Sequence, residues 1–220
     1  MTETTPFDLS GAALLVVDLQ PDFMPGGALA VAEGDQIIAP IRNLVLAGLF
    51  PLQVATQDWH PPGHISFASR HAGKQPFDTI ELYGHEQTLW PDHCVQGSTG
   101  AQLHQGLDLT PVAAVVRKGM DPDVDSYSGF RNNWSPAGER PATGLGGYLR
   151  DRGVDTVFCC GLARDVCVQW TALDAADYGF QTFVLWDLTR GVDPGNDDRV
   201  CAELRAKGVR IITSDQLPTG

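Results

Sequence analysis

Val157-Phe158-Cys159-Cys160-Gly161-Leu162-Ala163-Arg164-Asp165-Val166-Cys167 is the stretch from which the rest of the chain can be read. Residues 154–160 are largely apolar over the length of a strand and Gly161 breaks the run. The small residues Ala172, Ala175, Ala176 and Gly179 then recur at helical spacing. The pattern predicts a buried strand feeding a helix, with Cys167 in the helix's first turn. Unpaired backbone N–H groups and the positive end of the helix dipole lie there, and both favour a thiolate over a thiol. A nucleophilic cysteine belongs in such a place. An inert, buried cysteine fits the same junction, so the choice falls to what the remaining chain brings to it.

Toward the N-terminus, residues 12–17 form an apolar run without alternation, the pattern of a strand covered on both faces, and it ends at Asp18. Turn residues Pro21, Pro25, Gly26 and Gly27 follow. Helical spacing through Ile37, Ile38, Ile41, Leu44, Val45 and Leu49 predicts a helix over 35–49, with Pro40 tolerable only in its first turn. A second strand, 52–56, runs into Gln57-Asp58-Trp59-His60. Residues 61–90 are rich in Pro, Gly and His without a period, and read as a lid-like excursion. A third strand, 111–116, leads to Arg117-Lys118-Gly119, a polar loop spans 120–141, and a helix covers 145–152. Beyond the central stretch come a strand at 182–186 ending in Asp187, a helix at 197–207 and a strand at 209–213. Short apolar strands alternating with helices predict right-handed crossovers. The expected fold is α/β, a three-layer α/β/α domain over 1–220 with a six-stranded parallel sheet. Ligands of such sheets bind outside the carboxyl ends of the strands. Asp18, Asp58, Lys118, Cys167 and Asp187 each lie at or just past such an end and are expected to converge.

Composition narrows the function classes. At 220 residues and 43% apolar the chain can build a full core. A net charge of −12 without a Lys/Arg stripe argues against nucleic acid as a partner. No segment reaches the ~20 apolar residues of a membrane span, and residues 1–10 lack the basic and apolar regions of an export signal. Five cysteines, an odd number without regular spacing, read as free thiols in a reducing compartment, with cytoplasm the expectation.

Taken singly, each polar candidate has an ordinary reading: Asp18 as a cap, Lys118 as a side chain reaching solvent, Asp58 and His60 as a loop ion pair. Together, an acid, an ammonium and a thiol at the strand ends of one sheet provide a base for the thiol proton and a cation to hold the charges. Asp58 and His60 lie two apart in an extended segment and project to the same side, as a cation-gripping pair would. The third ligand stays open among His64, His71, His85 and His93. Such a donor set suits Zn, Fe or Mn. Phe23, Trp90 and Tyr127 are loop aromatics that could wall a flat pocket or anchor loops. Cys159, Cys160 and Cys201 read as packing residues, with Cys94 beside His93 left open.

Segments Leu15-Val16-Val17-Asp18-Leu19-Gln20-Pro21-Asp22-Phe23, Thr56-Gln57-Asp58-Trp59-His60-Pro61, Trp90-Pro91-Asp92-His93-Cys94-Val95, Arg117-Lys118-Gly119 and Gly161-Leu162-Ala163-Arg164-Asp165-Val166-Cys167-Val168 resemble the isochorismatase-like cysteine hydrolases. Within that superfamily they resemble the nicotinamidases, which also deamidate pyrazinamide. The resemblance implies Cys167 as nucleophile, Asp18 as general acid/base and Lys118 as the third member of a triad. It implies one divalent metal ion on Asp58, His60 and His93, with zinc foremost and iron or manganese as alternatives. It also implies a cis peptide at Leu162-Ala163, an oxyanion hole from the N–H groups of Ala163 and Cys167, and a ring pocket from Phe23, Trp90, Tyr127 and Leu162. The partner is then a small aromatic amide, with self-association left open. Arg164 departs from the pattern, since many members carry Thr there, and His64 falls near an additional metal histidine of some members. The rival expectations are an amidohydrolase for carbamoyl or ureido groups, or a non-catalytic metal-binding or thiol redox protein.

Overall fold

The computed structural model describes residues 7–218; residues 1–6 of the stretch read for an export signal, and 219–220, lie outside it. In chain order the elements are β1 (Ala12–Val17), α1 (Ile38–Leu46), β2 (Leu52–Asp58), β3 (Thr79–Leu82), β4 (His85–Thr88), β5 (Ala114–Lys118), α2 (Leu145–Arg150), β6 (Thr156–Leu162), α3 (Gln169–Asp177), β7 (Gln181–Arg190), α4 (Asp197–Ala206) and β8 (Arg210–Ile212). Six strands form one sheet in the order β5-β2-β1-β6-β7-β8, and every neighbouring pair is parallel. This is the expected α/β fold.

Burial on both faces explains why β1 reads as an unbroken apolar run. Ala12, Leu14 and Val16 enter one core with Ile38, Ile41 and Val45 of α1. Ala13, Leu15 and Val17 enter the other, with Leu145 and Leu149 of α2, Ala172 and Ala175 of α3, and Val200 and Leu204 of α4. The strand order turns at β1, whose neighbours β2 and β6 lead the chain in opposite directions. A crevice opens there at the carboxyl ends, where Asp18 and the turn after β6 meet.

Several boundaries differ from the sequence expectation, and for one reason. Strands continue through polar residues when neighbouring strands or side chains satisfy them. β2 runs on to Asp58, and β5 starts at Ala114 and runs to Lys118, because Gln57 pairs with Arg117 and Asp58 with Lys118 across the sheet. β7 passes through Asp187 to Arg190 after a register shift against β6 between Cys159 and Gly161. Within 61–90 the residues 79–82 and 85–88 form an antiparallel hairpin, with Tyr83 in the left-handed region (φ 53°) and Gly84 in the turn. Pro40 lies in the first turn of α1, where its missing N–H costs nothing. Among the described residues no helix is long and apolar enough to cross a membrane.

Candidate active site

Three strand ends bring the acid, the ammonium and the thiol together. Asp18 follows β1 directly, wholly buried and with φ 46°, a left-handed conformation that a non-glycine residue keeps only where its surroundings hold it. The Thr56 hydroxyl donates to Asp18 Oδ1 at 2.6 Å, so Oδ2 is the oxygen that faces Lys118, 3.0 Å from its Nζ. Lys118, the last residue of β5, also donates to Asp58 Oδ1 and to the Ser126 carbonyl at 3.1 Å, and its Nζ lies 3.4 Å from Cys167 Sγ. An oxygen of Asp18, an oxygen of Asp58 and Cys167 Sγ lie within 4.8 Å of one another.

Cys167 sits in one turn of π-helix, Arg164–Val168, that leads into α3. Such turns occur often at functional sites. The peptide Leu162-Ala163 before it is cis, and the Ala163 carbonyl accepts N–H bonds from both Val166 (3.1 Å) and Val168 (3.0 Å). Gly161 has φ 112°, and a Cβ there would stand 2.0 Å from the Val17 carbonyl oxygen, so the turn can approach β1 only through a glycine.

Burial sets the electrostatics. It raises the Cys167 thiol well above its ordinary value despite Lys118, so the resting group is a thiol. Burial likewise raises the Asp18 carboxyl, with Lys118 opposing. For Asp58, burial works against ionisation, but Lys118 and His60 outweigh it and hold the carboxyl well below the usual range. Burial also disfavours the Lys118 ammonium, yet Asp18 and Asp58 overcome this and keep it charged.

Asp58 joins this cluster to a second one. While Oδ1 takes the Lys118 bond, Oδ2 lies 3.7 Å from His60 Nε2 and 3.7 Å from His93 Nε2. Each imidazole has its other nitrogen on a carbonyl, His60 Nδ1 on Gly119 at 2.9 Å and His93 Nδ1 on Pro91 at 2.8 Å. Those bonds place the proton on Nδ1 and leave both Nε2 lone pairs toward Asp58, the donor arrangement a divalent cation needs. The residues therefore fit such an ion. Gln20 braces the carboxylate's backbone, accepting from Asp58 N–H and donating to the Asp58 carbonyl, each at 2.8 Å.

The pocket over both clusters is lined by Phe23, Trp90 and Tyr127, by Asp58, His60 and His93, and by Cys167 and Ala163, together with Leu29, Asp125, Val166 and Val192. The sequence candidates Asp18 and Lys118 lie beneath it, fully buried. Leu162 does not line it; its side chain packs in the core, close to Gly34. Asp187 is elsewhere too: its carboxylate binds the N–H and hydroxyl of Ser214, because β7 continues past it. His71 bonds the Ile65 carbonyl and His85 stacks on Trp134 at 4.2 Å, so neither belongs to the donor set. His64 lies 4.3 Å from His60, its ring tilted by 32°, and bonds Ser66 and Val124. Burial, aided by His60, lowers it to about 4, which keeps it neutral. Thr56 and Gln20 stood in the sequence segments without a role of their own, and Asp125 went unmarked. Asp125 lies in an aperiodic loop, whereas Gln20, between Asp18 and the turn prolines, and Thr56, two residues before Asp58, stood beside a signal.

Comparison with known proteins agrees with this geometry. The model of the Isochorismatase domain matches residues 12–216. A nicotinamidase of Acinetobacter baylyi is 47% identical over 215 residues, covering 97% of this chain and 98% of its own. A protein of L. infantum solved in complex with nicotinate superposes with a TM-score of 0.83 at 40% identity, covering 97% of this chain and 98% of that one. A pyrazinamidase of Pyrococcus horikoshii solved in complex with zinc gives a TM-score of 0.74 at 38% identity, covering 92% and 99%. On a family match running from β1 past β8, and on relatives aligned over nearly their whole length, the chain belongs to the isochorismatase-domain family, with nicotinamidases among its relatives.

Proposed function

We propose that the protein hydrolyses nicotinamide, and pyrazinamide by the same chemistry, to the carboxylate and ammonia, a step of NAD salvage. The observation that carries this reading is the shared Asp58 carboxylate, which sets a thiol–ammonium–carboxylate cluster and a two-histidine donor set side by side under one aromatic-walled pocket. Asp58, His60 and His93 would hold the divalent ion, which would supply Lewis acidity toward the ring nitrogen, with zinc the first choice and iron or manganese compatible with the same donors. Phe23, Trp90 and Tyr127 wall the ring, so the carboxamide carbon faces Cys167. Orientation of this kind supplies much of the rate.

Asp18 takes the thiol proton, and its carboxyl, raised by burial, is a better match for that transfer than an ordinary carboxylate. The thiolate attacks the carboxamide carbon, and N–H groups of Ala163 and Cys167 receive the developing oxyanion. Asp18 returns the proton to the departing nitrogen, releasing ammonia and leaving a thioester. It then deprotonates a water that attacks the thioester, and the sulfur leaves and is reprotonated as nicotinate departs. Lys118 stays protonated throughout and keeps Asp18 close to the sulfur. Five free cysteines fit a reducing, cytoplasmic setting.

The deciding experiment is ammonia release from nicotinamide by the purified protein, before and after chelation and with Zn, Fe or Mn restored. Release that chelation abolishes and one metal restores is the expected result. No release with any metal would exclude this reading and turn attention to carbamoyl and ureido amides, for which the triad serves equally well.

A further inference from the structure

Arg164 and Asp165 precede Cys167 by three and two residues, and neither side chain takes part in the chemistry above. Both grip the segment after β7. The Arg164 guanidinium donates to the Thr189 hydroxyl and the Thr189 carbonyl, each at 2.8 Å, to the Trp186 carbonyl at 3.3 Å and to Asp197 Oδ2 at 2.6 Å. It also lies 4.0 Å over the Trp186 ring. The Asp165 carboxylate accepts the N–H of Val192 at 2.8 Å, the N–H of Asp193 at 2.9 Å and the side-chain amide of Asn196 at 3.2 Å. Arg164 thus ties the end of β7 to the start of α4, and Asp165 ties down the connection between them. That connection has no sheet ladder of its own, so side chains must fix its position. What it delivers is Val192, half-buried, which lines both the ring pocket and the surface groove outside it. Val192 therefore stands at the pocket mouth.

We infer that Val192 is a specificity-determining wall for the substrate ring, and that Arg164 and Asp165 are positioning residues that hold it in register with Cys167. The inference rests on the nicotinamide reading. Because the two positioning residues share the nucleophile's own turn, the wall and the sulfur keep a fixed separation, and a substituent on the ring that meets Val192 displaces the amide from Cys167. A single methylene in an apolar pocket discriminates by roughly 10–200-fold.

The test compares kcat/KM for nicotinamide with that for 5-methyl- and 6-methylnicotinamide, in metal-loaded wild type and variants. Val192→Ala is expected to raise the methylated-to-unsubstituted ratio by about tenfold or more for at least one of the two rings. Asp165→Ala is expected to raise the same ratio, Asp165→Asn less because one acceptor oxygen remains, and Asp165→Ala in the Val192→Ala background to add nothing further. Wild type inactive on nicotinamide would overturn the functional reading and this inference together. An active Val192→Ala enzyme with unchanged ratios would overturn the inference alone. Effects of Asp165→Ala and Val192→Ala that multiply would show that Asp165 does not act through Val192. Should Asp165→Ala fail to fold, Asp165→Asn and Val192→Ala carry the same comparison.

Discussion

Lys118 is the residue on which the site's electrostatics turn. Fully buried, it balances two carboxylates and touches the Cys167 sulfur, so its removal leaves charges without a partner rather than merely deleting a contact. Lys118→Met is expected to lower nicotinamide kcat by at least about 1,000-fold and to destabilise the fold by about 3–5 kcal/mol, checked by steady-state ammonia release and denaturant unfolding. Thr56 offers a finer probe. Thr56→Val keeps the volume but removes the donor to Asp18 Oδ1, leaving a buried acceptor unsatisfied at a cost of about 1–3 kcal/mol. Its expected signature is a kcat about tenfold lower with KM little changed, restored by Thr56→Ser; a Val variant as active as wild type would show that Asp18 needs no such brace. Cys167→Ala is expected to abolish turnover and keep the wild-type circular dichroism spectrum.

At the scale of elements, the unit that matters is β6, the π turn and α3. Its strand and helix were legible because the apolar run and the spaced alanines carry local preferences, whereas Gly161, expected to break the strand, lies inside β6, which runs on to Leu162. The exact ends were less legible. β2, β5 and β7 run through polar residues whose backbone groups are satisfied by neighbouring strands, and periodicity carries no signal for a partner distant in sequence. Gly161 shows how tight the junction is. Gly161→Ala would place a methyl against the Val17 carbonyl at a φ of 112°, and a fall in melting temperature of more than about 10 °C is expected, with deamidation falling too because β1 and β6 carry Asp18 and Cys167. A thermal melt indistinguishable from wild type would show that the strands can separate enough to admit the methyl.

For the whole molecule, the proposed metal donors come from two segments distant in sequence, Asp58 and His60 at and just past the end of β2 and His93 after the hairpin of β3 and β4, so a bound ion would tie those segments together. Chelation is therefore expected to lower the melting temperature as well as activity, and restoring metal at a hundred times its dissociation constant is expected to return about 2.7 kcal/mol of stability, read by calorimetry. An unchanged melting curve alongside lost activity would place the ion elsewhere. The sequence by itself determined the class of fold, since β1 is apolar on every residue and β6 on nearly every one, and such strands are stable only with helices on both faces. It also marked Asp18, Asp58, Lys118 and Cys167 as neighbours, because residues at the carboxyl ends of parallel strands share one edge of the sheet. Spacing left the third histidine open and the resemblance pointed to His93; only the tertiary structure decided that Asp187 and Leu162 point away from the pocket, that Asp125 and Val192 line it, and that Thr56 and Gln20 brace Asp18 and Asp58. Those choices depend on side-chain direction and on hydrogen bonds between residues tens of positions apart, which no local pattern in a single chain encodes.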